Sequence, residues 1–523
     1  MADSATPVSS TILRALAQRP GALLGLRRGI EKESLRVNVD GTLSLRPHPA
    51  YLGSPLTHPH ITTDFSEAQP ELITDVHDSP ESAVAQLEDL HRFVYRGIGD
   101  EVLWTASMPC MLGADEDIPV GRYGTSNMAR AKTIYRLGLG NRYGRLMQTI
   151  SGIHYNFSVP ESFWPMLAEA SGARPDRAFQ TQSYFGLIRN FRRFSWLLIY
   201  LFGASPALCK SFVKDRPHAL RAFDEGSLYL PHATSLRMGR LGYQSDAQSE
   251  LHISYNSLDQ YARSMRQALT RPYPAYEKIG VKVGGEYRQL SSSLLQIENE
   301  FYGTIRPKQP VRDAERPLAA LRNRGVEYVE VRCLDLNPFL HVGIDAPQMR
   351  FLDVFLLYCL LADSPADSEQ ESRVMADNQL AVVERGREPG LMLTRGNREI
   401  TRERWSHDIL AACRPLAELL DEASGTTEYT RTWEEQGCKV DDPALTPSAR
   451  MLDIMSTQGI PFFRFTMNQS IAHKGYFDEH PLLPDQLVAY EAVAQASLEE
   501  QARLEAADDV DFDTFLQRYI AAV

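Results

Sequence analysis

The chain has 523 residues, 43% hydrophobic and 23% charged, a balance that supports a large buried core and leaves little room for long disordered tracts. Its net charge is -12 with Lys and Arg dispersed, which argues against nonspecific nucleic-acid binding, since that depends on neutralising phosphates. The N-terminal stretch has no basic segment leading into a continuous apolar run, and the longest apolar runs, at 196–202 and 351–362, are too short to span a bilayer, so neither a secretory signal nor a membrane span is expected.

In chain order, the first regular pattern is a helix over 11–28, with Ile12, Leu13 and Leu16 on one side and an interruption at Pro20-Gly21. Residues 29–37 then alternate as a strand that places Glu31, Glu33, Leu35 and Val37 on one face. Residues 61–74 read as a strand or loop pair carrying Asp64, Glu67 and Glu71, followed by Pro80 and an amphipathic helix over 82–99. Helical periodicity recurs over 127–140, 178–202 and 257–271. Between these, 151–159 alternates Ile153, Tyr155, Phe157 and Val159 with Gly152, His154, Asn156 and Ser158, an apolar face backed by a polar one.

The same division over 294–302 sets Gln296, Glu298, Glu300 and Tyr302 against Leu295, Ile297 and Phe301. Over 326–334 it sets Tyr328, Glu330 and Arg332 against Val329, Val331 and Cys333. Beyond Pro338 the pattern is mostly helical, with 351–362 apolar nearly all round and 483–507 increasingly charged on one side. An α+β fold is expected, its largely antiparallel sheet packed on one face and open on the other. Without repeats or low-complexity linkers, 1–523 reads as a single large catalytic domain and 340–523 as a mostly helical subregion of it.

Four strands thus present acids on one sheet face: Glu31 and Glu33, Asp64 and Glu71, then Glu298, Glu300 and Glu330, with His154 among them. Clustered carboxylates repel unless a cation lies among them, and hard oxygen ligands favour Mg²⁺, Mn²⁺ or Ca²⁺ over Zn²⁺. The alternative is a solvated face whose acids pair with nearby Lys and Arg, with His154 a satisfied strand histidine. Arg332 suits either a transferring phosphoryl group or a plain cross-strand pair with Glu330. Arg306 and Lys308 either meet phosphates or form a solvated loop. P-loop, H-E-x-x-H and G-x-S-x-G patterns are absent, and the glycines at 138, 140 and 144 are misplaced for a dinucleotide loop. The six cysteines, Cys110, Cys209, Cys333, Cys359, Cys413 and Cys438, show no C-x-x-C spacing and are expected as reduced thiols in the cytoplasm.

Taken as an ordered set, the segments at 29–38, 62–65, 123–127, 141–144, 147–158, 200–207, 295–300 and 327–332 resemble the proteobacterial-type glutamate-cysteine ligases, closely over about 10–345 and more loosely beyond. Residues 461–466 stand where that family usually has a small glycine-rich turn, and no second ATP-dependent module of the fused glutathione-making enzymes is expected. The resemblance implies a curved, mainly antiparallel six-stranded sheet, funnel-shaped with helices outside, similar to glutamine synthetases and guanidino kinases. It implies ATP, L-glutamate and L-cysteine as substrates, Mg²⁺ as cofactor with Mn²⁺ as an alternative, and a monomer.

By motif, Glu31, Glu33, Asp64, Glu71, His154 and Glu330 look like metal ligands, and Arg332 like the cation on the transferred phosphoryl group, with Glu330 beside it in the catalytic set. The cysteine site looks like Tyr135, Leu139, Gln148, Ile150 and Tyr243 around the side chain, with Arg237 and Tyr302 near the carboxylate. Competing readings are a γ-glutamyl ligase for another amine, a guanidino phosphotransferase that makes ADP but no amide, and a glutamate- or nucleotide-binding regulator without turnover.

Overall fold

The branched and aromatic residues that alternate with polar ones in the sequence converge on a six-stranded sheet. The computed structural model describes residues 7–214, 216–242, 246–249, 251–312 and 315–522. The strands are β1 (Arg27–Glu33), β2 (Ile61–Thr63), β3 (Pro70–Ile73), β4 (Ile153–Ser158), β5 (Ile305–Lys308) and β6 (Tyr328–Leu334), in the spatial order β5-β6-β4-β1-β3-β2. Every neighbouring pair is antiparallel. Ile30, Ile153, Tyr155, Phe157, Val329 and Val331 point to one face, where each is at most 1% exposed. Burial of side chains this size stabilises by roughly 1.5–3 kcal/mol apiece, which fixes the register and forces the intervening residues onto the opposite face.

Helices cover the apolar face. In chain order the fold uses α1 (Ser10–Gln18), α2 (Pro80–Ile98), α3 (Asn127–Tyr143), α4 (Arg177–Phe194), α5 (Trp196–Phe202), α6 (Ala346–Leu361), α7 (Phe462–Glu479) and α8 (Phe512–Ala521). Helix α2 starts where Ser79 accepts from the Ser82 amide, with Pro80 in the first turn, and its Leu87, Leu90 and Val94 enter the core. Helix α6, capped by Asp345, is buried nearly all round. Asp353 of α6 accepts from the Arg28 guanidinium at 2.6 Å and from the Tyr155 hydroxyl at 2.7 Å, tying this helix to β1 and β4. Lys32 also points into this layer, donating to His91 Nε2 at 2.7 Å, and burial brings its pKa down to about 7.

Several sequence expectations need correction. The first helix stops at Gln18, and Pro20–Leu23 form a separate 3₁₀ turn. The strand of Glu31 and Glu33 ends at Glu33. Arg36, buried against Glu101 at 2.7 Å, redirects the chain so that Leu35 and Val37 join a second apolar cluster with Trp104 and Phe465. Residues 178–202 form two helices divided at Ser195. Glu298–Glu300 form a 3₁₀ turn rather than a strand. The helical C-terminal region contains a hairpin of Met392–Arg395 and Arg398–Thr401. Cys110 and Cys209 are bridged, with Cα atoms 5.2 Å apart. Because they lie 99 residues apart, local spacing carried no sign of the pairing. No described helix is long and apolar enough to cross a membrane.

Candidate functional site

The polar face of the sheet gathers the acids through strand register. Glu31 stands opposite His154, Glu33 opposite Glu71, and Asn156 opposite Glu330, which is in turn opposite Arg306. Two tight groups result, Glu31-His154-Glu330 and Glu33-Glu71-His154, each with ligand-capable atoms within 4.8 Å of one another. His154 belongs to both, with Nδ1 3.1 Å from Glu31 and Nε2 3.6 Å from Glu33. Asp64 sits in the turn between β2 and β3, where its backbone carbonyl accepts from Tyr123 and Arg136. It stands outside the two tight groups, yet its carboxylate acts electrostatically on both Glu33 and Glu71.

Charge is divided unevenly across this face. Around Glu330, Lys308 lies at 3.1 Å, Arg332 at 3.3 Å and Arg306 at 3.8 Å. Burial opposes the Glu330 charge, but Lys308, Arg332 and His154 outweigh it and hold the carboxyl well below the usual range. On the β1-β3 side, burial and then Asp64 push Glu33 up to about 8. Burial, Asp64, Glu31 and Glu33 raise Glu71 well above its ordinary value. Two like charges 4 Å apart cost about 4 kcal/mol at an effective dielectric near 20, so without a cation this side relieves itself by retaining protons. Asn156 Oδ1 is enclosed and accepts no hydrogen bond, while Glu330 Oε2 is ion-paired with Arg332 and Arg306. Crowded carboxylates, one shared imidazole and an enclosed acceptor lacking a donor fit a hard divalent cation such as Mg²⁺.

Beyond Arg332 lies a cavity of about 350 Å³, with Arg237, Tyr302, Thr304 and Arg332 among its lining residues. Arg237 is buried, donates to the Arg332 carbonyl at 3.1 Å and lies 3.9 Å from Asp335. Its guanidinium passes over Gly152, where any Cβ would collide with it. Gln148 donates to the Tyr302 hydroxyl at 3.1 Å, and Leu139 and Ile150 belong to the apolar cluster against which Tyr135 and Tyr302 pack. Of the six expected cysteine-side residues other than Arg237, Tyr135, Leu139, Ile150 and Tyr302 thus belong to or pack on one apolar cluster and Gln148 is bonded to Tyr302, while Tyr243 lies outside the described residues.

Glu298 and Glu300, expected on the acidic face, leave it. Glu298 accepts from Arg316 at 2.6 Å, and Glu300 accepts from Arg142 at 2.8 Å and from the Tyr143 hydroxyl at 2.7 Å. Both are consumed in locking the 294–302 segment, whose Gln296 also donates to the Tyr135 carbonyl. Sequence reasoning missed Arg136, which binds the carbonyls of Thr63 and Asp64 from α3, because nothing in helical spacing links it to the β2-β3 turn. It also left Asn156 without a role, although alternation along β4 had placed that residue on the polar face; its amide donates to Glu31 at 2.9 Å.

Residues 13–382 match the family model described as glutamate-cysteine ligase. The chain belongs to the glutamate-cysteine ligase family. It is similar to the glutamate-cysteine ligase of Pseudomonas entomophila (strain L48), 49% identical over 525 residues with 99% of each chain covered. It is 52% identical over 496 residues to that of Pseudomonas putida (strain W619), covering 95% of this chain and 94% of the relative. A crystal structure of glutamate-cysteine ligase from Francisella tularensis in complex with AMP matches with a TM-score of 0.90 at 36% identity, covering 95% of this chain and 98% of that one. A bifunctional glutathione synthetase from Pasteurella multocida shares the fold, with a TM-score of 0.71 at 24% identity over 92% of this chain and 57% of that one.

Likeness to the ligases thus extends past residue 455, where 462–466 begin α7 rather than form a glycine-rich turn. Within this ligase fold, Gly152 makes room for Arg237, which gives a direct test. On the expectation that Arg237 meets the cysteine carboxylate, Gly152→Ala should displace that guanidinium and raise the KM for cysteine by about tenfold or more, one tenfold step corresponding to 1.4 kcal/mol. Steady-state kinetics with each substrate varied checks this, and an unchanged cysteine KM would contradict it.

Proposed function

We propose that this enzyme joins the γ-carboxylate of L-glutamate to the amine of L-cysteine at the expense of ATP. The observation that carries the reading is the divided sheet face, with acid groups meeting at His154 and cations flanking Glu330. In this reading the carboxylate oxygen attacks the γ-phosphorus of ATP, the bond to the β-γ bridging oxygen breaks, and ADP leaves. The cysteine amine then attacks the carbonyl carbon of γ-glutamyl phosphate, phosphate departs, and the nitrogen loses a proton. Phosphorylation is needed because a carboxylate oxygen is a poor leaving group.

Arg332 faces the transferred phosphoryl oxygens and offsets the charge that builds there. Arg237 and Tyr302 orient the cysteine carboxylate, Tyr135, Leu139, Gln148 and Ile150 enclose its side chain, and the family resemblance adds Tyr243 to that set. Apolar walls discriminate one methylene by only about 1–3 kcal/mol, so 2-aminobutyrate is expected to be a slower alternative amine. Mg²⁺, or Mn²⁺ in its place, would be held among Glu31, Glu33, Asp64, Glu71, His154 and Glu330. Bound there, it would shield the phosphate oxygens.

The residue set and the antiparallel sheet support a funnel similar to that of glutamine synthetases and guanidino kinases, built as one catalytic domain over 1–523. We further infer a cytoplasmic monomer acting on small molecules alone, and light scattering on the purified protein checks its state.

The reading is tested by incubating the protein with Mg²⁺, ATP and glutamate, varying the amine, and following ADP and peptide together. Matched, cysteine-dependent formation of both is expected. Full-rate ADP release without amine, or a better amine than cysteine, would sink it.

The raised Glu33 value adds a pH dependence. A cation must displace the proton that Glu33 holds up to about 8, so affinity for Mg²⁺ should rise with pH towards that value. Proton release on binding, from titration calorimetry in two buffers of different ionisation enthalpy, measures this. A pH-independent affinity with no proton release would contradict it. Without metal the sign reverses for stability: the folded chain keeps a proton that the unfolded chain loses, so this contribution falls as pH rises from the ordinary carboxylate range through about 8.

A further inference from the structure

On the edge strand β5, Arg306 and Lys308 both point to the polar face, but the structure commits them differently. Arg306 is buried, and its Nη2 donates to the carbonyls of Asn299 and Phe301 at 2.7 and 2.6 Å. It is a clamp on the turn that precedes the strand. Lys308 is 27% exposed at its side chain, and among the described residues its ammonium forms an ion pair with Glu330 at 3.1 Å. Lys308, Arg332 and Arg306 all stand beside Glu330, and Glu31 is close enough to act on Lys308 as well. Three cations around these two carboxylates leave that edge of the face with excess positive charge, the opposite of the β1-β3 side.

Register fixes where the excess lies. Lys308 is opposite Tyr328, while the Arg332 amide donates to the Thr304 carbonyl across the same strand pair. Lys308 and Arg332 therefore occupy opposite ends of a stretch of about 13 Å along the strands, at 3.3 Å per residue, and both side chains turn inward to one carboxylate between them. A row of cation, carboxylate and cation matches a polyphosphate laid along the strands with a divalent ion held by the central carboxylate. An ammonium on a flexible stem suits such a chain as a mobile point charge, whereas the planar fork of Arg332 suits the group in flight.

Resting on the function proposed above, we propose that Lys308 is a nucleotide-binding residue that grips the phosphate chain between the nucleoside and the transferred phosphoryl group. Its role is affinity for the polyphosphate, and the chemical step belongs to Arg332.

The test compares wild type, Lys308→Met and Lys308→Arg with each substrate varied. Lys308→Met is expected to raise the KM for ATP by about tenfold or more, with the KM values for glutamate and cysteine changed less than about threefold. Lys308→Arg should recover most of the ATP affinity. An unchanged KM for ATP would overturn the proposal, as would a loss confined to kcat or an equal rise for glutamate. Should Lys308→Met fail to fold, the wild-type chain still decides. With Mg²⁺ present, ADP should protect Lys308 from an amine-acetylating reagent in peptide mass spectrometry, and full labelling at saturating ADP would count against it. If the wild type itself makes no ADP with glutamate and cysteine, it is the functional reading that falls.

Discussion

Glu330→Gln is expected to lower kcat by at least about a thousandfold while leaving the circular dichroism spectrum unchanged, the scale seen when a phosphoryl-transfer site loses one of its charged parts. Glutamine keeps the shape of the side chain but removes the charge that balances Lys308, Arg332 and Arg306. It also takes away one oxygen from the Glu31-His154-Glu330 group. The variant should lose stability at neutral pH as well, because three buried or half-buried cations are left facing a neutral amide. The wild-type contribution is present above the ordinary carboxylate range and is lost as pH falls through the lowered value of Glu330, so the stability difference should shrink in acid. Retained turnover would exclude Glu330 from the required set.

The second large effect concerns Arg332. Arg332→Met is expected to cost about a thousandfold in kcat with the KM for cysteine changed less than about threefold, since the guanidinium is assigned to charge that develops during transfer. Arg332→Lys should recover only part of the loss, because an ammonium keeps the charge without the two-pronged donor geometry. Because Arg237 is held through the Arg332 backbone carbonyl, either substitution leaves that contact available. A rise in the KM for cysteine matching the fall in kcat would instead assign Arg332 to substrate binding.

Much of this site was legible where one strand carried both its burial pattern and its chemistry. In β4 and β6, alternation alone separated His154 and Asn156 from Ile153, Tyr155 and Phe157, and Glu330 and Arg332 from Val329, Val331 and Cys333. The fate of Glu298 and Glu300 was not legible, because their alternation imitates a strand while their partners, Arg316 and Arg142, lie 18 and 158 residues away. Periodicity reports which face a residue takes and says nothing of which distant guanidinium will claim it.

The same limit hid the Cys110-Cys209 bridge and the buried Lys32-His91 contact. The pairing of β4 with β1 and β6 that brings acids to His154 joins segments more than 120 residues apart, where ordered motifs were a better guide than composition.

The most direct test follows an atom. With ¹⁸O in the γ-carboxylate of glutamate, and Mg²⁺, ATP and cysteine present, each peptide formed should send one labelled oxygen into inorganic phosphate, because that oxygen becomes the bridge of γ-glutamyl phosphate and leaves with the phosphoryl group. Peptide formation with unlabelled phosphate would contradict an acyl phosphate intermediate, and with it the assignment of this sheet face to phosphoryl transfer from ATP to glutamate.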